Sequence, residues 1–132
     1  MADTLTITKS EHGPVKVLHL AGQLNAETQA ELMDAARREQ ALGTRYLLID
    51  LAHVDYIGGA GLAALHNIYK MFTPGEAVEA WEKDNHGVPY KSDYMKLAEA
   101  SPSVYFILNI AGFLQNIPIY RTLDECLRSF HA

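Results

Sequence analysis

Cysteine, clustered positive charge and long apolar runs are what this sequence lacks most. One cysteine, Cys126, stands among 132 residues. No internal disulfide can form, and a lone thiol fits a reducing compartment, so a cytoplasmic location is the expectation. Lys and Arg number 11 against 16 Asp and Glu, for a net charge of −5. The basic residues are scattered, and a nucleic-acid surface needs them concentrated, so no nucleic acid is expected as a partner. No apolar run follows a basic start, and none approaches the roughly 20 residues that span a bilayer. Direct membrane insertion is therefore not expected either.

The usual catalytic signatures are missing too. No serine sits in a nucleophile elbow, and no glycine loop carries the Lys-Ser/Thr of a phosphate cradle. His12 and His19 have neither a third ligand nor zinc spacing, and read as surface or satisfied core groups. Tyr56, His53 and Asp55 lie close in sequence, but Asp50 and Asp55 are explained as strand-end polar groups. Cys126 falls on an apolar helical stripe, where packing accounts for it. No enzyme, no cofactor and no metal are expected.

What is present is an alternation of strand and helix patterns in a chain long enough for one domain with one core. Leu5–Thr8 and Val15–Leu20 read as strands around the turn residues 11–14, which predicts an antiparallel hairpin. Asn25 is placed to cap a helix, with Glu27 in its first turn and Gly43 at its end. Ala30, Leu32, Met33, Ala36 and Ala41 mark that helix's apolar face. Tyr46–Leu51 is a short apolar run suited to a strand covered on both faces. A turn is expected over 52–55, then the pair Tyr56-Ile57 and the loop Gly58-Gly59-Ala60-Gly61. From Leu62 the spacing of Leu62, Leu65, Ile68, Tyr69 and Phe72 is helical.

Residues 73–93 are polar and read as an insertion, with a short helix over 76–83 and a loop over 85–89. Trp81 and Tyr90 lie within it and are candidates for an interface anchor, to a partner or to a second copy in a homodimer. The competing expectation is that both rings fold back on their own domain. After it come a strand over 94–98 and a helix capped by Ser101 with Pro102 at its first position. An edge strand over 117–120 and a last helix opened by a capping box at Thr122–Glu125 complete the chain. The sum is one α/β domain over residues 1–132. It has a single mixed, mostly parallel sheet of about five strands, an opening antiparallel hairpin and about four main helices.

The glycine loop opens a helix, where backbone amides and the helix dipole favour an anion or a polar partner group. It is not GxGxxG, so a dinucleotide is not implied. Taken alone, it also suits a tight crossover in which small residues let helix and strand approach.

The order of these elements and several motifs resemble the STAS domain, the fold of bacterial anti-sigma-factor antagonists that is also found attached to sulfate transporters. The matching stretches are AGQLN at 21–25, LLIDL at 47–51, VDYIGGAGL at 54–62, AGFLQNIPIY at 111–120 and the 122–127 helix. The resemblance leaves out about 73–93. It implies a non-catalytic protein-interaction module that regulates transcription or signalling. Its partner would be an anti-sigma factor, a kinase-like regulator or a transport complex, bound through Asn25, Gly58, Gly59, Ala60, Gly61 and Leu62.

In antagonists of this family the loop reads Asp-Ser-Ser-Gly, and phosphorylation of the second serine turns binding off. Here Gly58 stands at the acid, Gly59 at the first serine and Ala60 at the phospho-acceptor; only Gly61 matches. The acid often found in the Gly-x-Leu-Asp turn is Asn25. Ala60 has no hydroxyl, so a degenerate, non-phosphorylatable acceptor is expected. The alternative is a small-ligand, anion or nucleotide sensor at Gly58–Gly61, although the nearest basic residues, Arg45 and Lys70, lie outside the loop.

Overall fold

The computed structural model describes residues 4–130; the two ends of the expected 1–132 span lie outside them. The hairpin is β1 (Leu5–His12) and β2 (Val15–Leu24), followed by α1 (Gln29–Ala41), β3 (Tyr46–Ile57), α2 (Gly59–Phe72) and α3 (Gly75–Asp84). Then come β4 (Met95–Ala98), α4 (Pro102–Ile110), a 3₁₀ turn at Phe113–Gln115, β5 (Ile119–Tyr120) and α5 (Leu123–Ser129). The sheet runs in the order β1-β2-β3-β4-β5, with β1 antiparallel to β2 and each later neighbour parallel. It is the mixed sheet with an opening hairpin that the alternation predicts, with β5 at the edge.

Helices cover both faces because β3 is apolar on both. Leu47, Ile49 and Leu51 join Leu18, Leu20, Leu65, Ile68 and Val104 in the main core, beneath α1, α2 and α4. Leu48 turns the other way, onto Val15, Val17, Ala98, Cys126 and Phe130 under α5. Lys96 points to this second side and is nearly buried. Its Nζ donates to the carbonyl and hydroxyl of Ser129 at 3.0 and 2.9 Å and lies 4.6 Å from the Phe130 ring centre, tying β4 to α5. Burial holds its ammonium below the usual lysine range.

Five details differ from the sequence expectations. The hairpin strands are longer, because polar Ser10–His12 and small Ala21-Gly22 pair in the ladder although they break the apolar pattern. No turn interrupts β3 at 52–55. His19 pairs with Asp50 but Ala21 with His53, and Gly22 pairs with Val54 but Gln23 with Tyr56. β3 thus carries an extra residue at each of two bulges, and bulges break the two-residue alternation on which strand reading relies.

The cap of α1 is Thr28, not Asn25. Asn25 instead opens the turn before it, its Oδ1 accepting from the amides of Glu27 and Thr28 at 2.9 and 3.2 Å. The buried face of α1 is Leu32, Met33, Ala35, Ala36 and Glu39, with Ala30 and Ala41 exposed. α2 begins at Gly59 rather than Leu62, so most of the glycine loop is the helix's first turn.

Candidate functional site

Two parallel strands that end together build the site. Leu24 and Ile57, the last residues of β2 and β3, are ladder partners. The chain leaves β2 through Asn25 and leaves β3 through Gly58, so the two exits stand side by side. The Gly58 amide donates to the Leu24 carbonyl at 2.9 Å. A Cβ placed on Gly58 would lie 3.7 Å from that of Asn25. Thr28 locks the Asn25 turn, its Oγ1 accepting from the Asn25 amide at 3.0 Å and donating to the Gln23 carbonyl at 2.7 Å. Residues 33 positions apart in sequence thus form one rim.

Gly58 is the extended N-cap of α2 and brings no side chain to it. The amides of Gly59, Ala60 and Gly61 precede the helical ladder, whose first bond runs from the Leu62 amide to the Gly58 carbonyl at 3.0 Å. Gly59 is exposed, Ala60 and Leu62 are half-buried, and no acid stands in the first turn. Tyr56 is 49% exposed and flanks Gly58. The rim is therefore small, mostly uncharged and rich in backbone amides, with an aromatic ring at its side. Gly61 differs from its neighbours: it is buried against Leu24, so it serves packing rather than contact.

The second group of candidate residues lies elsewhere. α3 has no buried residue, and its Trp81 Nε1 donates to the Val88 carbonyl at 2.9 Å. The Trp81 ring meets Tyr90 edge-on at 6.2 Å, and Tyr90 is itself buried. The Asn116 amide group holds the Tyr90 carbonyl at 2.8 Å, and Thr73 and Ser92 share a hydroxyl contact of 2.8 Å. Both rings close onto their own chain, and only Trp81 retains partial exposure.

Two polar groups escaped sequence reading. Glu39 is fully buried in α1, held by Lys9 Nζ at 3.0 Å, Lys16 Nζ at 3.5 Å and the Thr44 hydroxyl at 3.0 Å. The other is a hydrogen-bonded chain of Ser10, His19 and Asp50 across β1, β2 and β3. The available signal was the polar alternation Thr6, Thr8, Ser10, His12 on β1, but its partners on two other strands depend on register. Among the described residues, no group of three or more His, Cys, Asp or Glu is placed to hold a metal, and no helix is long and apolar enough to cross a membrane.

A family model for the STAS domain matches residues 6–76. The chain belongs to the STAS domain family. It is 35% identical over 63 residues to RsfB, an anti-sigma-F factor antagonist of Mycobacterium tuberculosis, a match that covers 48% of this chain and 52% of that protein. The chain thus spans about half the length of the curated relative it matches. Its fold is similar to that of an anti-sigma factor antagonist from Mycobacterium paratuberculosis, with a TM-score of 0.78 at 22% identity over 98% of this chain and 96% of that one. It is also similar to the phosphorylated form of the Bacillus cell fate determinant SpoIIAA, with a TM-score of 0.62 at 12% identity over 93% of this chain and 97% of that one. At such identities the likeness in structure speaks for the fold alone.

Proposed function

We propose that the chain is a non-catalytic docking module of the anti-sigma-factor-antagonist type, which binds a protein partner through the joined exits of β2 and β3 and the first turn of α2. One observation carries this proposal: the Asn25 turn and the Gly58 helix start form a single rim, with the Gly58 amide on the Leu24 carbonyl and the amides of Gly59 and Ala60 ahead of the helical ladder. The partner class follows from the relatives, which are named as anti-sigma factor antagonists. Ala60 stands where the family's acceptor serine is expected, and its methyl cannot take a phosphate. Binding at this rim is then constitutive, or controlled elsewhere. The segment at 73–93 reads as an insertion that leaves α2 at the end opposite this surface and is anchored at its two ends.

Titration calorimetry against the anti-sigma factors of the same organism tests the proposal. One of them is expected to bind, and Ala60→Glu or Leu62→Glu to weaken it at least about tenfold by placing an unpaired charge in the contact. Equal binding by wild type and both variants rules this rim out.

A further inference from the structure

The face of the sheet that α5 leaves uncovered carries a second arrangement, which shares no residue with the docking rim. Ser10 Oγ on β1 lies 2.8 Å from His19 Nε2 on β2, and His19 Nδ1 lies 2.7 Å from Asp50 Oδ2 on β3. The other Asp50 oxygen accepts the Ala52 amide at 3.0 Å. An ionised carboxylate only accepts hydrogen bonds, so Nδ1 carries the proton that faces it. The Nε2 lone pair is then free to accept from the Ser10 hydroxyl. With its one proton so committed, Ser10 Oγ receives its remaining hydrogen bond from His12 Nε2, 3.2 Å away.

This is a hydroxyl, a base within reach of its proton, and an acid that orients the base: the order of groups that activates a serine. Exposure grades in the same direction. The Asp50 side chain is 10% exposed and that of His19 29%, so the acid is held in place and the base is reachable. A fastening of β1 to β3 requires a hydrogen bond at each step, but not a half-exposed imidazole placed between a hydroxyl and a buried carboxylate.

We propose that Ser10 is an activated nucleophile that takes up the acyl group of a small activated donor of the aryl ester or acyl phosphate class, making this sheet face a covalent modification site. Ser10 Oγ bonds to the acyl carbon as the bond from that carbon to the leaving oxygen breaks. The hydroxyl proton passes to His19 Nε2 and from there to the leaving oxygen. Asp50 holds the ring and faces the imidazolium while it lasts. The balance needs no oxidant or reductant. The groups that face Ser10 are His12 on its own strand and His19 on β2, and Asp50 on β3 faces His19.

The test incubates the full chain with p-nitrophenyl acetate and, separately, with a fluorophosphonate probe, followed by intact mass measurement and peptide mapping. One adduct per chain is expected, on the peptide holding Ser10 and absent from Ser10→Ala. The labelling rate should fall about 100-fold in His19→Gln, as loss of a general base implies. No adduct at Ser10, or an unchanged rate in a folded His19→Gln, overturns the proposal. Should His19→Gln not fold, Ser10→Cys decides: alkylation by iodoacetamide well above the rate of a free thiol supports an activating base, and an ordinary rate removes it. None of these outcomes depends on whether the rim at Gly58 binds a protein.

Discussion

Gly61 lies against the backbone of Leu24 so closely that a Cβ on it would meet the Leu24 carbonyl oxygen at 2.5 Å and the Leu24 Cγ at 2.8 Å. The approach sets how near α2 stands to the end of β2, and hence how Gly58 meets Asn25. Gly61→Ala should force the helix outward and cost about 1–3 kcal/mol, the usual range for overpacking. Urea denaturation measures it. A stability equal to wild type shows that the helix has room to shift. Gly59, which has no neighbour within 4 Å of a built Cβ, is the control and should accept alanine with little change.

Glu39 makes acid stability depend on one carboxylate. Burial pushes its carboxyl upward, but the hydrogen bonds of Lys9 and Thr44 and the charges of Lys16 and Lys9 outweigh that and hold it below the usual range. A carboxyl lowered in the folded state contributes stability that is present above the unfolded value, 4.5, and is lost as pH falls through the folded one. Glu39→Gln should therefore reduce stability by about 1–3 kcal/mol at pH 7, and should lose less than wild type between pH 5 and pH 3. Denaturation midpoints at several pH values check it. Parallel curves for the two proteins contradict this role.

Cys126 reports on the α5 side. Burial pushes its thiol up to about 12, only partly offset by the charge of Lys96, and its Sγ–H faces the Leu97 carbonyl at 3.6 Å. At pH 8 the native protein should react with a disulfide reagent only as fast as α5 opens, and completely once denatured. Immediate reaction of the folded chain shows that this layer is not closed.

Restoring the acceptor chemistry separates scaffold from switch. Gly59 has open space, and at Gly58 a Cβ meets the Tyr56 side chain at 3.3 Å and the Asn25 Cβ at an ordinary 3.7 Å. The triple variant Gly58→Asp, Gly59→Ser, Ala60→Ser should fold and take phosphate from a kinase that acts on antagonists of this type. Wild type should not. Phosphate mapped within residues 55–66 of the wild-type chain refutes the degenerate site.

Residues 75–88 should be removable. α3 buries no side chain, and the Thr73–Ser92 and Tyr90–Asn116 bonds already close the segment's ends. Replacing 75–88 with a short Gly-Ser linker should leave the thermal midpoint within a few degrees of wild type. Unfolding of that variant would make α3 part of the core.

How far the sequence was legible depended on whether a signal was local. Ser101 and Thr122 do cap α4 and α5, accepting from the amides of Val104 and Glu125 at 3.3 and 3.1 Å; a hydroxyl three residues ahead of the amide it receives can be read without a partner strand. Asn25 failed on the same rule, because Thr28, three residues later, took the cap while Asn25 took the turn. The bulges in β3 failed for another reason: an extra residue is visible only against the strand it is extra to. Glu39 carries no local signal at all: Lys9 of β1 and Lys16 of β2 reach it only in the fold.

Apolar period, caps and glycine placement by themselves determined the strand and helix order, the hairpin, the mixed sheet and the family motifs. Tertiary structure alone decided which other distant residues share a place: Glu39 with Lys9, and Ser10 with His19 and Asp50. The physical reason is register. Hydrophobic pattern specifies which face of a strand is buried, whereas the residue opposite a given side chain is set only when two strands lock their ladders together.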